Sequence, residues 1–335
     1  MTLTWTELAP VPDGRFWDST ALVGWDGKLY AYNPYYSVLA VYDIASGSWT
    51  SNTVTSDNAA GYSGAAVVDG VIYFMGHASY YNSAIYTIAT DTWEPLTSTV
   101  NYGSLNGVPS CSYLNGKIYV LGERSDDSGH VGNAFVIYDI LNDTWSSGSV
   151  NVHDTAYRYA VTDGTNLYAV EGYRGNWWME GIQPSDQYDT GVLETYDPAG
   201  DVWTFSQHTD PQYRNDHTAA YFGGKIYVVG GGSDDNNWPG GYSVPWVSSY
   251  DIAADSWQIE TPLPIPRGDP VCTVLDGKLY VLGGYSNSGD DDPEQSLIVT
   301  TLPGGGGDGG GPHRPDPDLR VETDVPGNVH FLPVR

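Results

Sequence analysis

Apolar residues occur along most of the chain in short runs that are separated by turns rich in Gly and Asp. The segment TAAYFGGKIYVVGG (218–231) is typical, because a first apolar run leads through a Gly-Gly-Lys turn into a second run that ends in two glycines. Runs of this length joined by tight turns predict β-hairpins. The pattern therefore predicts an all-β protein built from short antiparallel strands.

Two phrases recur along the chain. One places a Tyr seven residues before a Trp, as in VYDIASGSW (41–49), and it occurs five times. The other, GKLY or a close relative, occurs six times and supplies one anchor tyrosine to each unit: Tyr30, Tyr73, Tyr119, Tyr168, Tyr227 and Tyr280. These tyrosines are 43 to 59 residues apart, which brackets the ~50-residue period of some propeller blades. The repetition predicts six units of four strands each.

The units resemble the kelch repeat, whose blade carries a Gly-Lys turn, a Tyr-containing strand ending in Gly-Gly, and a Tyr and Trp on the outer strands. GKLYVLGG (277–284) and GKIYVVGG (224–231) match this pattern fully, whereas GKLYAYNP (27–34) has lost both glycines. The resemblance covers residues 2–303. It implies a six-bladed kelch-type β-propeller, a fold that hosts many different functions.

The sixth unit ends without a Trp, and this explains the unequal counts of the two phrases. The N-terminal segment TLTWTELAPVP has the form of the missing strand, with Trp5 in the Trp position. We expect Thr2 to Leu8 to complete the last blade and close the ring, which removes exposed sheet edges.

The chain divides into three parts. Residues 1–303 form the propeller, and the Gly-rich stretch 304–311 has the composition of a flexible linker. Residues 312–335 form a tail with two short β-like pieces, DLRVET and NVHFLPV. The tail is either disordered or a tether that docks on the propeller or on an assembly partner.

The net charge of −28 at pH 7 argues against nucleic acid as a partner, because that affinity rests on cations. A solubilising acidic surface and cation binding both agree with this charge. No apolar run is long enough to span a membrane, and no signal peptide is visible. The composition nevertheless resembles that of extracellular or surface-associated proteins.

Cys111 and Cys272 occupy equivalent positions in units three and six, so we expect two unlinked core thiols on opposite blades.

Residues just before each innermost strand ring the mouth of the channel in a kelch-like propeller. Three blades that are consecutive in a closed ring carry Arg and Asp there, with Tyr157 and Arg158 across from them: Arg15 with Asp18, Arg214 with Asp216, and Arg267 with Asp269. Kelch proteins often carry an Arg at this position, so the repeated Asp is what this sequence adds. Two interpretations follow, salt bridges between loops or recognition of a carboxylate or polyhydroxy ligand.

The loops between second and third strands are longest in units four and five, and they bring aromatic residues into polar, Gly-rich surroundings: Trp177, Trp178, Trp238 and Trp246. These residues either pin the loops to the rim or form a platform for sugar rings or a protein partner.

The equivalent loops of units three, five and six contain clusters of Asp: Asp126, Asp127, Asp234, Asp235, Asp290 and Asp291. Such clusters either bind Ca²⁺ or remain as solvated acidic loops.

The favoured function is a binding module that recognises a carbohydrate or protein partner through its loops and channel mouth. No established catalytic motif occurs in the sequence, so we do not favour an enzyme. The first alternative is an enzyme acting on a sugar acid, similar to the six-bladed sialic-acid mutarotases, with Glu171, Arg214, Asp216 and His217 as acid-base candidates. The second alternative is a structural subunit of an extracellular or virion assembly.

Overall fold

A computed structural model describes the chain over residues 2–12, 20–54, 63–76, 83–96, 105–125, 131–149, 159–170, 173–174, 188–189, 191–206, 208–212, 214–233, 242–286, 294–303, 319–323 and 329–333. Within these residues the strands of the first half of the chain are β1 (Thr6–Glu7), β2 (Ala21–Trp25), β3 (Lys28–Asn33), β4 (Val38–Asp43), β5 (Ser48–Thr53), β6 (Ser63–Val68), β7 (Val71–Gly76), β8 (Ala84–Thr87), β9 (Thr92–Pro95), β10 (Leu105–Leu114), β11 (Lys117–Ser125), β12 (Val131–Asp139) and β13 (Thr144–Ser147).

The second half of the chain continues with further antiparallel strands. They are β14 (Tyr159–Thr162), β15 (Leu167–Val170), β16 (Tyr173–Arg174), β17 (Tyr188–Asp189), β18 (Leu193–Asp197), β19 (Val202–Phe205), β20 (Thr218–Phe222), β21 (Lys225–Val229), β22 (Gly232–Ser233), β23 (Tyr242–Ser243), β24 (Val247–Asp251), β25 (Ser256–Ile259), β26 (Val271–Leu275), β27 (Lys278–Leu282), β28 (Leu297–Thr301), β29 (Leu319–Thr323) and β30 (Val329–Pro333).

Six four-stranded antiparallel sheets form the blades within the described residues. Their strand orders from the innermost strand outward are β2-β3-β4-β5, β6-β7-β8-β9, β10-β11-β12-β13, β14-β15-β18-β19, β20-β21-β24-β25 and β26-β27-β28-β1. Apolar clusters fill all six junctions between neighbouring blades, including the junction of blade six with blade one, where Leu282 and Leu297 pack with Leu22 and Leu29. The architecture is the predicted six-bladed β-propeller.

The N-terminal strand closes the ring as predicted. Thr6 pairs with Val299 and Glu7 with Ile298, so β1 is the outer strand of blade six. The Trp5 indole donates to the Thr261 carbonyl at 3.3 Å, at the end of the preceding blade. The tryptophans at the same position of other blades donate in the same way to the preceding segment, at 2.7 to 3.0 Å: Trp49 to Ala9, Trp203 to Ser149 and Trp257 to His208.

The Tyr and Trp of the repeated phrase face each other across the two outer strands. In blade five, Tyr250 pairs with Trp257 and their ring centroids are 5.2 Å apart. The Tyr250 hydroxyl donates to Asp255, which has a φ of 47°. Asp tolerates this left-handed conformation better than most residues. One Asp therefore both forms the turn and accepts the buried hydroxyl, which explains why the phrase keeps a polar turn between Tyr and Trp.

Three further hairpins lie outside the blade sheets. β16 pairs with β17 and β22 with β23 beside the long loops of blades four and five. The two β-like pieces of the tail pair with each other, β29 with β30. No helix with the length and hydropathy needed to cross a bilayer occurs in the part of the chain that the structure describes. Cys111 and Cys272 are both free thiols, as expected.

Candidate functional site

The innermost strands begin on the side of the ring where the loops between second and third strands leave. Asn215, just before β20, bridges Gly232, just after β21, and Gly268 bridges Tyr285 in the next blade. We call this side of the ring the loop face, and its described residues in blades five and six are 214–217, 230–233, 242–246, 267–270, 283–286 and 294–296. The bridges agree with the arrangement expected from the sequence, in which both kinds of segment surround one mouth.

Arg214 is buried beneath the loop face. Its guanidinium Nη2 donates to Asp210 Oδ2 at 2.9 Å and also to the hydroxyl of Ser248, which itself donates to Asp210. Arg214 and Asp210 are 0% and 1% exposed. This buried ion pair ties the segment before β20 to β24, the third strand of the same blade.

Gly231 provides the room that Arg214 needs. Its φ is 104°, and a Cβ at this position would lie 2.4 Å from the Asn215 carbonyl oxygen and 3.1 Å from the Arg214 Cγ. Gly284 has the same role in blade six, since a Cβ there would lie 2.5 Å from the Gly268 carbonyl oxygen. Gly231 and Gly284, which end the second strands of blades five and six, therefore leave the space that the segments carrying Arg214 and Arg267 occupy.

Arg267 performs the equivalent task in blade six with different partners. Its Nη1 donates to the carbonyls of Gly283 at 2.7 Å and Ser296 at 3.1 Å, and its Nη2 donates to the Ser296 hydroxyl at 2.5 Å. Burial lowers the pKa of Arg267, against the opposing effect of Glu294 and Glu7. Arg267 thereby fixes the start of β26 to both ends of the loop that connects β27 to β28.

The prediction that Arg214 and Arg267 contact a ligand at the mouth stays a prediction, and in the structure both side chains are buried. Arg267 is 1% exposed, and Arg214 is fully enclosed. A guanidinium can read a ligand carboxylate only where the ligand reaches it, whereas here both are enclosed by groups of their own blades. Arg214 forms a salt bridge with Asp210, and Arg267 bonds Gly283 and Ser296, so both arginines connect segments of their own blade.

The repeated Asp has a conformational role. Asp216 and Asp269 have φ values of 49° and 48°, and the Asp269 amide donates to the Asp216 carbonyl at 2.9 Å, which links neighbouring blades. Asp269 is exposed and Asp216 is half-buried. The Asp side chain suits the left-handed backbone and places negative charge on the loop face.

His217 is buried near Arg214 and Asp210. Burial and the nearby positive charge of Arg214 lower its pKa to about 3, and Asp210 only partly offsets this effect. The imidazole is therefore neutral at physiological pH. Its position beneath the loop face makes it part of the scaffold and not an exposed acid-base group.

Sequence reasoning missed three polar residues around the channel. Thr218, at the start of β20, bonds Cys272 of the neighbouring innermost strand, and Ser110 bonds Ala160 in the same manner between blades three and four. Tyr159 lies near Thr218 and both thiols, and burial raises its pKa. The sequence did contain a signal for these residues. In several blades a residue with a hydroxyl group lies two positions before the residue that pairs with the anchor tyrosine.

Several predicted residues lie outside the described part of the chain. For the mouth and the aromatic platform these are Arg15, Asp18, Tyr157, Arg158, Trp177, Trp178 and Trp238. The Asp clusters proposed for Ca²⁺ also lie outside it: Asp126, Asp127, Asp234, Asp235, Asp290 and Asp291. Trp246 is described, is half-buried, and its carbonyl accepts the Gly230 amide at 2.9 Å. Among the described residues, no cluster of three His, Cys, Asp or Glu is suited to a metal ion.

Comparison with known proteins agrees with the repeat pattern. The family described as Kelch motif matches residues 213–264. Kelch-like protein terF of Aspergillus terreus is 24% identical over 279 residues, which cover 78% of this chain and 57% of that protein. Kelch-like protein 23 of Pongo abelii is 29% identical over 197 residues, which cover 57% of this chain and 33% of that protein. The chain thus spans between one third and about three fifths of these relatives.

A solved structure, that of YjhT, has the same fold. It superposes with a TM-score of 0.70 at 14% sequence identity, and the match covers 89% of this chain and 98% of YjhT. At this level of identity the similarity concerns the fold alone.

Proposed function

Because the chain is a kelch-repeat β-propeller, we propose that it is a binding module that recognises a protein partner through its loop face. The surface concerned is the part formed by blades four to six, where the longest loops leave the ring. The propeller would serve as a rigid support, and the loops would supply the contacts.

The observation that carries this proposal is the set of buried hydrogen bonds made by Arg214 and Arg267. Each guanidinium connects the segment before an innermost strand to the third strand of its own blade or the residue just before it. The bonds are buried, so water competes little with them. A loop that is anchored at its base loses less conformational entropy on binding, and this favours recognition through a preorganised surface.

The charge of the chain indicates the kind of partner. The net charge is −28 at pH 7, and Asp269 is exposed on the loop face. A protein segment rich in Lys or Arg would be attracted to such a surface, with association that slows as salt is added. The predicted aromatic residues of the loops would contribute the apolar contacts that usually dominate affinity.

The enzyme alternative has less support from the described residues. It assigned acid-base roles to Arg214 and His217, and both are buried. A histidine with a pKa of about 3 binds a proton too weakly to serve as a general base near neutral pH. The polar groups at this position are better suited to holding the loops.

The proposal is tested by screening the full chain against a displayed peptide library and a glycan array. We expect enrichment of basic peptides, with affinity that falls as NaCl is raised. Replacing the blade-four loop 175–187 by Asn-Gly should abolish the enrichment. The matched control replaces the blade-two loop 77–82 by Asn-Gly and should retain it.

Three results would contradict the proposal. Binding to glycans alone would indicate the carbohydrate alternative. Faster interconversion of the anomers of N-acetylneuraminic acid, followed by NMR, would indicate the enzyme alternative. Enrichment that survives the blade-four replacement would place the binding surface elsewhere.

Repeating the screen with CaCl₂ and with EDTA tests whether the predicted Asp clusters bind Ca²⁺ and whether binding depends on it.

A further inference from the structure

A short proline-rich segment leads from the outer strand of blade five onto the loop face. Residues 262–266 have the sequence Pro-Leu-Pro-Ile-Pro, and they join β25 to the segment that carries Arg267. We call these residues the proline strap. Its backbone bonds connect it to the loop-face residues 242–246, so the strap borders the surface to which the proposed function assigns recognition.

The proline strap has little conformational freedom. The Leu263 amide donates to the Pro245 carbonyl at 2.7 Å, and the Arg267 amide donates to the Val244 carbonyl at 3.3 Å. Leu263 is 3% exposed and packs in the apolar cluster between blades five and six. Each proline of the strap fixes its own φ at about −65°. The strap is therefore a preorganised surface, which loses little entropy when a partner binds.

The solvent side of the proline strap is apolar. Pro262, Pro264 and Ile265 are exposed, with 41% of Ile265 accessible to solvent. The chain bends at Pro264 and Ile265. These residues are neighbours in the chain, so they form one continuous apolar surface above the buried Leu263.

The equivalent segments of other blades show that the fold does not need the exposed isoleucine. The amides of Asp210 and Val11 make the bond that the Leu263 amide makes here, at 2.9 and 3.1 Å, and a proline follows each of them. After that proline, the segment between blades four and five has the polar Gln212, whereas the strap has Ile265. An exposed apolar side chain that the architecture does not require is a candidate contact for a partner.

The surroundings of the proline strap are negatively charged. The described loop-face residues of blades five and six, together with residues 210–212, carry two cations and four anions, which leaves a net charge of −2: Arg214, Arg267, Asp210, Asp216, Asp269 and Glu294. Both guanidinium groups are buried, whereas Asp269 is exposed. A partner that approaches this part of the loop face therefore meets carboxylate groups first.

The apolar and acidic residues are close enough for one short segment to contact both. Asp269 follows Ile265 by four residues, so their Cα atoms are at most about 14 Å apart. The Asp269 amide donates to the Asp216 carbonyl at 2.9 Å, which brings the two acidic residues together. Side chains on one side of an extended segment repeat every two residues, about 7 Å. A partner segment of a few residues can therefore reach the strap and the carboxylates at once.

We propose that the proline strap and Asp269 bind an extended protein segment in which aromatic residues alternate with Lys or Arg. An aromatic ring packs on Pro264 and Ile265, in the way that aromatic side chains contact proline-rich segments, and it supplies most of the affinity. A neighbouring cation pairs with Asp269 and draws the segment to this side of the ring. The inference rests on the proposed function and specifies the partner that the loop face takes.

The experiment measures the binding of three synthetic peptides to the full chain by fluorescence anisotropy, at low and at high NaCl concentration. The first peptide alternates Arg with Trp, the second Arg with Ser, and the third Gln with Trp. We expect the Arg-Trp peptide to bind roughly tenfold more tightly than either of the others, because each of those lacks one of the two contacts.

Two substitutions separate the apolar contact from the charged one. Ile265→Ser should weaken binding of the Arg-Trp peptide roughly fivefold or more and leave its salt dependence unchanged. Asp269→Asn should weaken binding and also reduce its salt dependence. Asn tolerates the φ of 48° found at Asp269, so this variant keeps the local backbone.

The matched controls are Val202→Ser and Asp26→Asn, which lie away from the strap. Val202 is 51% exposed, and blades one and five have Ser48 and Ser256 at the same strand position. Asp26 is exposed, has a φ of 45° and lies in the turn between β2 and β3. Both controls should bind the Arg-Trp peptide like the wild-type chain.

The possible results separate this inference from the proposed function. Equal binding of the Arg-Trp and Arg-Ser peptides would overturn the inference, and so would Arg-Trp binding that is insensitive to both Ile265→Ser and Asp269→Asn. In either case the proposed function stands if the library still yields basic peptides that depend on the blade-four loop. A library screen that enriches no basic peptide would overturn both.

Discussion

The Thr218 hydroxyl makes two hydrogen bonds to Cys272, the facing residue in the innermost strand of the next blade. It donates to the Cys272 sulfur at 3.3 Å and accepts the Cys272 amide at 3.2 Å. Ser110 and Ala160 repeat the arrangement between blades three and four, where the Ala160 amide donates to the Ser110 hydroxyl at 2.8 Å. Hydroxyl groups thus join innermost strands that belong to different sheets.

Replacing Thr218 by Val should destabilise the propeller. The change preserves the shape of the side chain but leaves the buried Cys272 amide without its acceptor, a loss of about 1–3 kcal/mol. Thr218→Ser keeps the hydroxyl and should retain most of the stability. Urea unfolding of the three proteins measures the difference, and equal midpoints for Thr218→Val and the wild type would show that the bond contributes nothing.

The two thiols should be unreactive in the folded protein. Cys272 is buried and Cys111 is half-buried, and desolvation raises the pKa of Cys272 to about 12 and raises that of Cys111 as well. Because the thiolate is the reacting species, we expect Ellman's reagent at pH 8 to modify neither residue in the native state and both in urea. Rapid native labelling of Cys272 would contradict its burial, and a Cys111–Cys272 disulfide found under non-reducing conditions would contradict the order of the blades.

Removing residues 2–8 should open the ring. Blade six would lose its outer strand, and the exposed edge of β28 would promote aggregation. A milder change, Trp5→Ala, should lower the free energy of unfolding by about 2–4 kcal/mol, because it deletes a large, half-buried ring. Trp5→Phe keeps most of the packing and loses the bond to Thr261, at a cost of about 1 kcal/mol. A truncated chain that melts like the intact one would refute closure by the N-terminal strand.

The stability of the protein should decrease at acidic pH in part because of His217. The ordinary pKa of histidine is 6.5, and in the folded chain that of His217 is about 3. Between these values the unfolded chain binds one more proton, so the free energy of unfolding falls as the pH decreases from about 6.5 to about 3, by at most roughly 1.4 kcal/mol per pH unit. Below this range His217 adds no further change.

The His217 contribution is isolated by comparison with His217→Gln, which does not titrate. Urea unfolding at pH 7, 5 and 4 should give a smaller pH dependence for the variant than for the wild type. Identical slopes in the two proteins would show that His217 is not buried in its neutral form.

The propeller was predictable from the sequence because every blade repeats the same local requirements. Each blade has a turn glycine close to its anchor tyrosine, and in five of the six blades the outer tryptophan follows the tyrosine by 19 to 35 residues. The missing sixth Trp also identified Trp5 as the closing residue. Such signals are local, so they can be recognised without knowledge of the three-dimensional structure.

The environment of the mouth arginines was not predictable in the same way. The sequence places Arg214 before an innermost strand, but it does not reveal that Ser248, 34 residues later, lies beneath it. The glycine pairs at the ends of β21 and β27 were the available clue, since they leave room for the segment that carries each arginine. The conformational role of Asp216 and Asp269 likewise depends on a left-handed φ that composition alone does not indicate.

The most direct test of recognition through the loop face is a hydrogen-exchange footprint of a basic peptide selected from the library. The proposed function predicts that the bound peptide slows exchange in residues 173–189, 230–246 and 267–270, on blades four to six. It also predicts unchanged exchange in the turns on the opposite side of the ring, at residues 26–28, 69–71 and 115–117. Protection of those turns with no change on the loop face would contradict the account.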